Sequence, residues 1–482
     1  MTVINYDFIK QAAKESGRRR TDYLALAPGN DPFYLPQGRE DNGAWFAKQL
    51  ETFGVEGEFH DRRIHYLLVT QETPVKRPDG GDYENTEKCW DLLSAAGRDT
   101  RYTQDVDSDR FVDRRNPDPE IFHRVSDEPE PKTVIVEDAD LASRGWVQYE
   151  LPSVPELDDL PESLPDLPAY EVTGLQEIIE QPILIEIFCE KTTMNDVLIP
   201  ICSRYGVNLI TGMGELSTTA CYNFLERCRR LRKPGRILYI SDFDPAGIGM
   251  PVAVARKIEW YQRIYEEYTA LDVRLEPIAL TADQVAEYRL PRIPVKDTDR
   301  RKTRFEMVYG EGQVELDALE ALHPGELARI VKDAVLQYYD PELREKTEQA
   351  YADHEAYLER INEAEHSIFK DRRDELEAEY SALYDEWQAI RAKFAELVEP
   401  FKVEIEQLAS RADDIRERAK ELHEDVADHC EEHVDDLDKY EPPEADLPGE
   451  SDDQLYDSRR DYFEQLAVYK QHKNGEERRA AA

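Results

Sequence analysis

Between residues 183 and 280, short apolar runs alternate with helix-length amphipathic stretches, and no other feature of the chain limits its fold so strongly. The runs Ile183–Cys189, Val207–Ile210, Ile237–Ile240 and Val273–Leu280 are too short for buried helices and, being mostly apolar, read as buried strands. Asp196–Tyr205, Thr218–Arg230 and Val252–Tyr268 carry helical spacing between them. Strands that are apolar on both faces and joined by helices predict a parallel sheet covered on both sides. Such sheets gather ligands at the carboxyl ends of their strands.

The flanking sequence differs in kind, and six segments are expected. Residues 1–41 form an N-terminal extension whose Pro28-Gly29, Pro32 and Pro36 break periodicity, so it is expected to be irregular and to wrap a neighbouring domain. Over 42–125, Trp45, Phe46 and Leu50, then Ile64, Leu67 and Leu68, then Trp90, Leu92 and Leu93 mark three helices, followed by the strand-like Arg110–Asp113. That order reads as a winged helix, a fold that places its third helix in a DNA groove. Residues 126–170, rich in proline and acids, read as a linker in which Thr133–Val136 and Trp146–Tyr149 are candidates for a small hairpin.

Residues 171–340 hold the α/β unit. From 341 to 440 apolar residues step by three and four through Leu376, Tyr380, Leu383, Trp387, Ile390, Phe394, Leu397, Phe401 and Leu408, then Ile415, Ala419, Leu422 and Val426. This predicts a coiled coil or long helical hairpin, interrupted near Pro400, which lacks an amide hydrogen. Residues 441–482 form an acidic tail with one candidate helix around Tyr462–Tyr469. The fold class expected is α/β plus α.

Carboxylates stand where ligands of such a sheet would gather. Glu190 ends the first strand, and Asp242 and Asp244 follow the third in Ser241-Asp-Phe-Asp-Pro-Ala-Gly247. Hard dications take oxygen ligands, and magnesium borrows one or two carboxylates plus substrate phosphates, so these three acids point to Mg2+ and phosphodiester chemistry. The competing reading is that Asp residues at strand ends make turns. Glu186, four residues before Glu190, is open either as a partner in the site or as an ion-paired strand residue, and Lys191 either as a phosphate contact or as a structural pair.

A second constellation lies in Asp61-Arg62-Arg63-Ile-His65-Tyr66. A tyrosine that attacks a phosphodiester must lose its proton, from an ordinary pKa near 10, and needs cations to hold the phosphate. Arg62 and Arg63, about one helical turn earlier, would supply them. Taken alone, a helical tyrosine is more often a core or interface residue. Arg98, Lys296, Arg300 and Arg301 are further candidates for DNA phosphate contact, the last three from a basic run between Arg289 and Arg304 whose other reading is a solvated helix face.

Glu190-Lys191, Gly212-Met-Gly214 and Ser241–Gly247, in that order over 181–285, resemble the Toprim domain of topoisomerases, primases and some nucleases. The Arg63–Tyr66 segment resembles the catalytic helix of the topoisomerase VI A subunit and the related meiotic break-forming transesterases. Tyr83-Glu-Asn-Thr86 and Cys89–Arg98 are similar to the stretch after that helix in stand-alone relatives, and Gln313–Leu319 to the family's closing segment. His65 departs from the usual Tyr or Phe, while keeping a flat ring.

The resemblance covers residues 42 to about 340 and implies a type IIB topoisomerase-like enzyme that cleaves double-stranded DNA. Tyr66 would be the nucleophile, forming a 5′-phosphotyrosyl bond, with Arg63 as motif arginine. Glu190 would be acid/base or metal ligand, and Asp242 and Asp244 metal ligands. It also implies a homodimer, each tyrosine facing the partner's metal site; since the chain has no P-loop, either a separate ATPase subunit supplies the nucleotide site or the protein only cuts, and the coiled coil is a candidate for dimerisation or partner docking. A Toprim nuclease using activated water and a non-catalytic DNA-binding scaffold are the alternatives.

Charge fits DNA only locally. The chain carries 104 acidic and 61 basic residues, net −43, which repels DNA if spread evenly. Residues 1–125 hold 23 acidic and 18 basic side chains, whereas 341–482 hold 42 and 20, so the N-terminal third is where DNA is expected. The pervasive acidity also suits a high-salt cytoplasm, where ions screen repulsion at short range. The scattered cysteines lack any CxxC, arguing against zinc or a disulfide frame. No apolar span or signal-like segment occurs, and the expected location is cytoplasmic, at the nucleoid.

Overall fold

The computed structural model describes residues 4–113, 118–126, 131–136, 164–174, 178–212, 214–394, 401–448 and 454–475. Trp146–Tyr149, Met213, Leu397 and Pro400 lie outside these described residues, as does the side chain of Phe394. The chain forms two compact units, one of residues 1–124, 181–341 and 445–482, the other of residues 125–180 and 342–444.

The elements run in chain order. First come α1 (Tyr6–Ser16), α2 (Gln37–Thr52), α3 (Asp61–Val69) and α4 (Glu87–Tyr102), then strands β1 (Lys132–Val136) and β2 (Ala169–Thr173). The central segment gives β3 (Leu184–Cys189), α5 (Asn195–Tyr205), β4 (Asn208–Thr211), α6 (Thr218–Leu231), β5 (Gly235–Ile240), α7 (Met250–Ile264), α8 (Glu266–Thr269) and β6 (Val273–Ala279). Helices α9 (Ala282–Glu287), α10 (Lys302–Tyr309), α11 (Leu316–Leu322) and α12 (Glu326–Val335) come next. Last are α13 (Leu343–Ile368), α14 (Lys370–Phe394), α15 (Lys402–His433), β7 (Tyr456–Asp457) and α16 (Tyr462–Asn474).

In the first unit the sheet order is β4-β3-β5-β6-β7, with β3 through β6 parallel and β7 antiparallel at the edge. Side chains of β3 alternate between two cores. Leu184 and Phe188 join α6, α7 and the C-terminal helix on one face, and Ile185 and Ile187 join α5, α11 and α12 on the other. Ser217 starts α6 by accepting the Ala220 amide, which satisfies a donor the helix itself cannot.

Helices α2, α3 and α4 enclose a separate apolar cluster of Phe46, Leu50, Phe59, Ile64, Leu93 and Phe111. Phe111 closes it through a parallel bridge to Phe59, and an antiparallel Lys76–Asp82 bridge folds the α3–α4 connection.

The N-terminal segment differs from its expected form, whereas the tail carries the helix expected around Tyr462–Tyr469 and adds a short strand. The N-terminal stretch expected to be irregular contains α1, capped by Asn5, because Ile9 and Ala13 are buried in the main core. The acidic tail contributes β7 and α16, and buries Leu455, Tyr456, Leu466 and Tyr469 in that same core. Aromatic packing joins the two ends, Phe33 meeting Tyr462 edge-on at 5.5 Å.

Within the second unit β1 pairs antiparallel with β2, Val134 opposite Glu171, while Trp146–Tyr149, the expected hairpin partner, lies outside the described residues. The 126–170 segment therefore carries a strand that returns at Ala169–Thr173, and it groups with residues 342–444. Tyr170 anchors this ribbon. Its amide donates to Asn362 at 2.8 Å and its hydroxyl to the Cys430 carbonyl at 3.1 Å.

Helices α14 and α15 are antiparallel: Arg372, Glu379 and Glu386 pair with Asp425, Arg418 and Arg411, steps of seven rising on one helix and falling on the other. Leu376, Tyr380, Leu383 and Trp387 are buried against Ile415, Ala419, Leu422 and Val426. Helix α14 is described to Phe394 and α15 from Lys402, and Pro400, where a break was expected, lies outside the described residues. Among the described residues, no helix is long and apolar enough to cross a membrane. All six cysteines are free and buried.

Candidate functional site

Two strand ends meet at the candidate acids. Glu190 leaves β3 with its amide bonded to the Ile240 carbonyl of β5 at 2.9 Å, and its carboxylate accepts the Asp242 amide at 3.2 Å. Beyond Asp242 the chain turns sharply, and Asp244 Oδ1 accepts the amides of Ala246 and Gly247 at 2.8 and 2.6 Å. Gly247 is required there: a Cβ would lie 2.0 Å from the Asp242 carbonyl oxygen. Asp244 thus performs the turn role that competes with metal binding for such residues.

Asp242 is held from both sides. Its Oδ1 accepts the Leu316 amide at 2.7 Å, and its Oδ2 stands 3.1 Å from Lys191 Nζ. The same ammonium reaches Asp317 at 2.8 Å and Glu315 at 3.4 Å. The segment that delivers Glu315 and Asp317 is fixed by Val314, which exchanges backbone hydrogen bonds with Phe243 at 2.9 Å in each direction. This gives Gln313–Leu319 a role at the acids that its sequence alone did not disclose.

The electrostatics follow from this crowding. Burial, then the neighbouring charges of Asp242 and Asp244, push the Glu190 pKa up to about 7. Burial also raises Asp242, against the opposing pull of the Leu316 amide and Lys191. Burial disfavours the charged form of Lys191, but its bonds to Asp317 and Asp242 outweigh that and hold its pKa above the ordinary value. Asp317 is correspondingly lowered by Lys191.

An all-carboxylate donor set whose charge Lys191 neutralises only in part suits a hard dication such as magnesium. Among the described residues, however, no three His, Cys, Asp or Glu side chains are already gathered as a metal cage. Glu186 stands apart from the site: it is fully buried and receives Arg227 in a fork of 2.6 and 2.8 Å.

Tyr66 projects from α3 with 57% of its surface exposed, its ring edge-on to His65 at a centroid distance of 5.5 Å. His65 is buried, with Nδ1 2.8 Å from the Tyr83 hydroxyl and Nε2 3.2 Å from Asn85 Oδ1. Beneath Tyr66 the helix is therefore fixed by polar bonds from an aromatic ring. Arg62 and Arg63 are exposed and line a cavity of about 1100 Å3 with Arg101 and Trp90. A second cavity of about 780 Å3, lined by Arg98, Arg301 and Ala246 of the Asp244 turn, shares Ser94, Arg101, Glu215 and Ser217 with it. Tyr66 lines neither.

The basic run is less uniform than its sequence. Lys296 and Arg300 are exposed, whereas Arg301 turns back on Asp299 at 2.9 Å and Lys302 on Asp297 at 2.6 Å. Arg101 escaped notice in the sequence. It is buried, donates to Thr219 Oγ1 at 3.0 Å and lies over the Phe111 ring at 4.3 Å, joining α4 to the start of α6. The one available signal was its place three residues after Arg98 on the same helix. No protein-family model matches this chain, and no curated protein is significantly similar to it.

Proposed function

We propose that the protein is a magnesium-dependent DNA-cleaving transesterase of the topoisomerase VI A type, with a winged-helix-like helical part and a Toprim-like sheet. The observation that carries this reading is the presence, within one compact unit, of an exposed tyrosine behind two exposed arginines and of two acids at neighbouring parallel strand ends, the Glu190 carboxylate accepting the Asp242 backbone amide. In this reading the Tyr66 hydroxyl attacks a backbone phosphorus, the phenolic proton leaves, and the 3′ oxygen of the broken bond departs. Arg62 and Arg63 hold the phosphate. Without a cation beside it Glu190, with its pKa of about 7, can give or take a proton near neutral pH, and with magnesium bound it would serve as a ligand instead.

Magnesium would be held by Glu190, Asp242 and Asp244 and would stabilise charge developing on the phosphate. Double-stranded DNA would enter along the joined cavities, with Arg98, Arg101, Lys296, Arg300 and Arg301 on its phosphates. Because Tyr66 lines neither cavity of its own chain, the reading calls for a homodimer in which it serves the partner's acids. A separate ATPase subunit would be needed only for strand passage.

The test is incubation of the protein with duplex DNA and magnesium, followed by denaturing analysis for attached protein. That same outward position of Tyr66 favours one second reading, a metal-dependent nuclease that hydrolyses DNA with water. Cleavage without any protein-linked end would select it.

A further inference from the structure

In a chain of net charge −43, the cavity of about 780 Å3 beside the Asp244 turn is lined by six cations, Arg98, Arg101, Lys257, Arg301, Arg304 and Lys473, and by one acid, Glu215. Glu215 is already taken by Lys257 at 2.6 Å, and Arg301 by Asp299 at 2.9 Å. The other four rest mainly on neutral groups. Arg98 donates to the Gly29 carbonyl at 2.8 Å, Lys473 to the Ala25 carbonyl at 2.7 Å, Arg101 to Thr219, and Arg304 to Asn474. Asp99, 3.7 Å from Arg98, is held more closely by Arg39 at 2.6 Å. Burial and the nearby Arg304 lower the Lys473 pKa, the cost of crowding cations out of water.

A bound anion relieves that crowding. Ile248, Met250, Phe305 and Tyr309 supply apolar and aromatic surface in the same cavity, whose volume lies within the roughly 300–1,000 Å3 common for small-ligand sites. Cations for a phosphate beside apolar surface for a base match a nucleotide. We propose that this cavity binds a nucleotide unit, its phosphate on Arg98, Arg304 and Lys473. The unit is either a free mononucleotide or one nucleotide of a DNA strand passing the Asp244 turn, and neither source requires Tyr66 to be a nucleophile.

Titration calorimetry on the full-length Tyr66→Phe protein, with dAMP, a single-stranded oligonucleotide or inorganic phosphate, tests this with covalent cleavage silenced. The expected result is binding of dAMP or of the oligonucleotide that weakens at least tenfold in Arg98→Ala and in Arg304→Ala. Binding of dAMP identifies the free nucleotide as a ligand, and binding of the oligonucleotide alone identifies the strand. Arg98, Arg304 and Lys473 all touch the terminal segments, so thermal melts accompany each variant, and whichever of Arg98→Ala and Arg304→Ala melts like wild type gives the reading if the other melts early. The proposal is overturned if neither nucleotide probe binds, if binding is undiminished in Arg98→Ala, or if inorganic phosphate binds as tightly as dAMP.

Discussion

The amide of Asp242 donates to the carboxylate of Glu190 at 3.2 Å, so the acid ending one parallel strand is tied to the backbone leaving its neighbour. The contact sets the spacing of the candidate site without any ligand. It also concentrates negative charge in a partly buried place.

Glu190 consequently gives the metal-free protein a pH dependence. Its folded pKa of about 7 lies above the ordinary value of 4.5, so the protonated acid favours the folded state. That contribution is fully present below about pH 4.5 and is lost as pH rises through 7. Thermal melts in chelator should place wild type below Glu190→Gln at pH 8, with the gap closing toward pH 5. A gap independent of pH would contradict the assignment.

Lys191 bridges Asp242 to Asp317 and Glu315, and its removal leaves three acids facing one another. Charge-assisted hydrogen bonds are worth about 1.5–3 kcal/mol. Lys191→Met is expected to lose about that much in chelator, measured by urea unfolding, and to regain part of it when magnesium is added. Equal loss with and without magnesium would argue against a cation site there.

Gly247→Ala places a methyl group 2.0 Å from the Asp242 carbonyl oxygen, an overlap relieved only by moving the turn. The expected outcome is a folded protein with a lowered melting temperature and DNA cleavage reduced at least tenfold. Wild-type cleavage in this variant would mean that the turn does not position the acids.

Arg256 is fully buried between Asp31, at 3.2 Å, and Glu259, at 2.8 Å, and donates to the Tyr462 hydroxyl at 2.7 Å. One guanidinium thus joins the N-terminal segment, α7 and α16. Removing one partner of a buried ion pair costs about 3–5 kcal/mol. Asp31→Ala should lose that much in urea unfolding and expose the C-terminal helix to protease. A loss within experimental error would refute the role of this junction.

Legibility in the sequence followed the range of the interactions. The four central strands were readable because each is short and mostly apolar, with Glu186, Asn208, Arg274 and Glu276 as the polar exceptions, and the long helices because Leu376 to Val426 repeat by heptads. Helix α1 was not, since Ile9 and Ala13 anchor it to a core completed by residues more than four hundred positions later. The pairing of β1 with Ala169–Thr173 was not legible, because more than thirty residues separate the two and Tyr170 is anchored by bonds to Asn362 and Cys430, far along the chain.

At the site, Glu190 and Asp242 stood out from their strand ends. Lys191 with Asp317 did not, because 126 residues separate them and only the Phe243–Val314 bridge brings them together.

Whether Tyr66 is the nucleophile is decided by denaturing analysis of duplex DNA cut by the full-length protein in magnesium at high salt, wild type beside Tyr66→Phe. Because Tyr66 is exposed, the variant should melt like wild type. A tyrosine nucleophile predicts protein covalently attached to 5′ ends in the wild type and a loss of about 10⁴-fold or more in the variant. Cleaved DNA with no attached protein, or adduct undiminished in Tyr66→Phe, would contradict it.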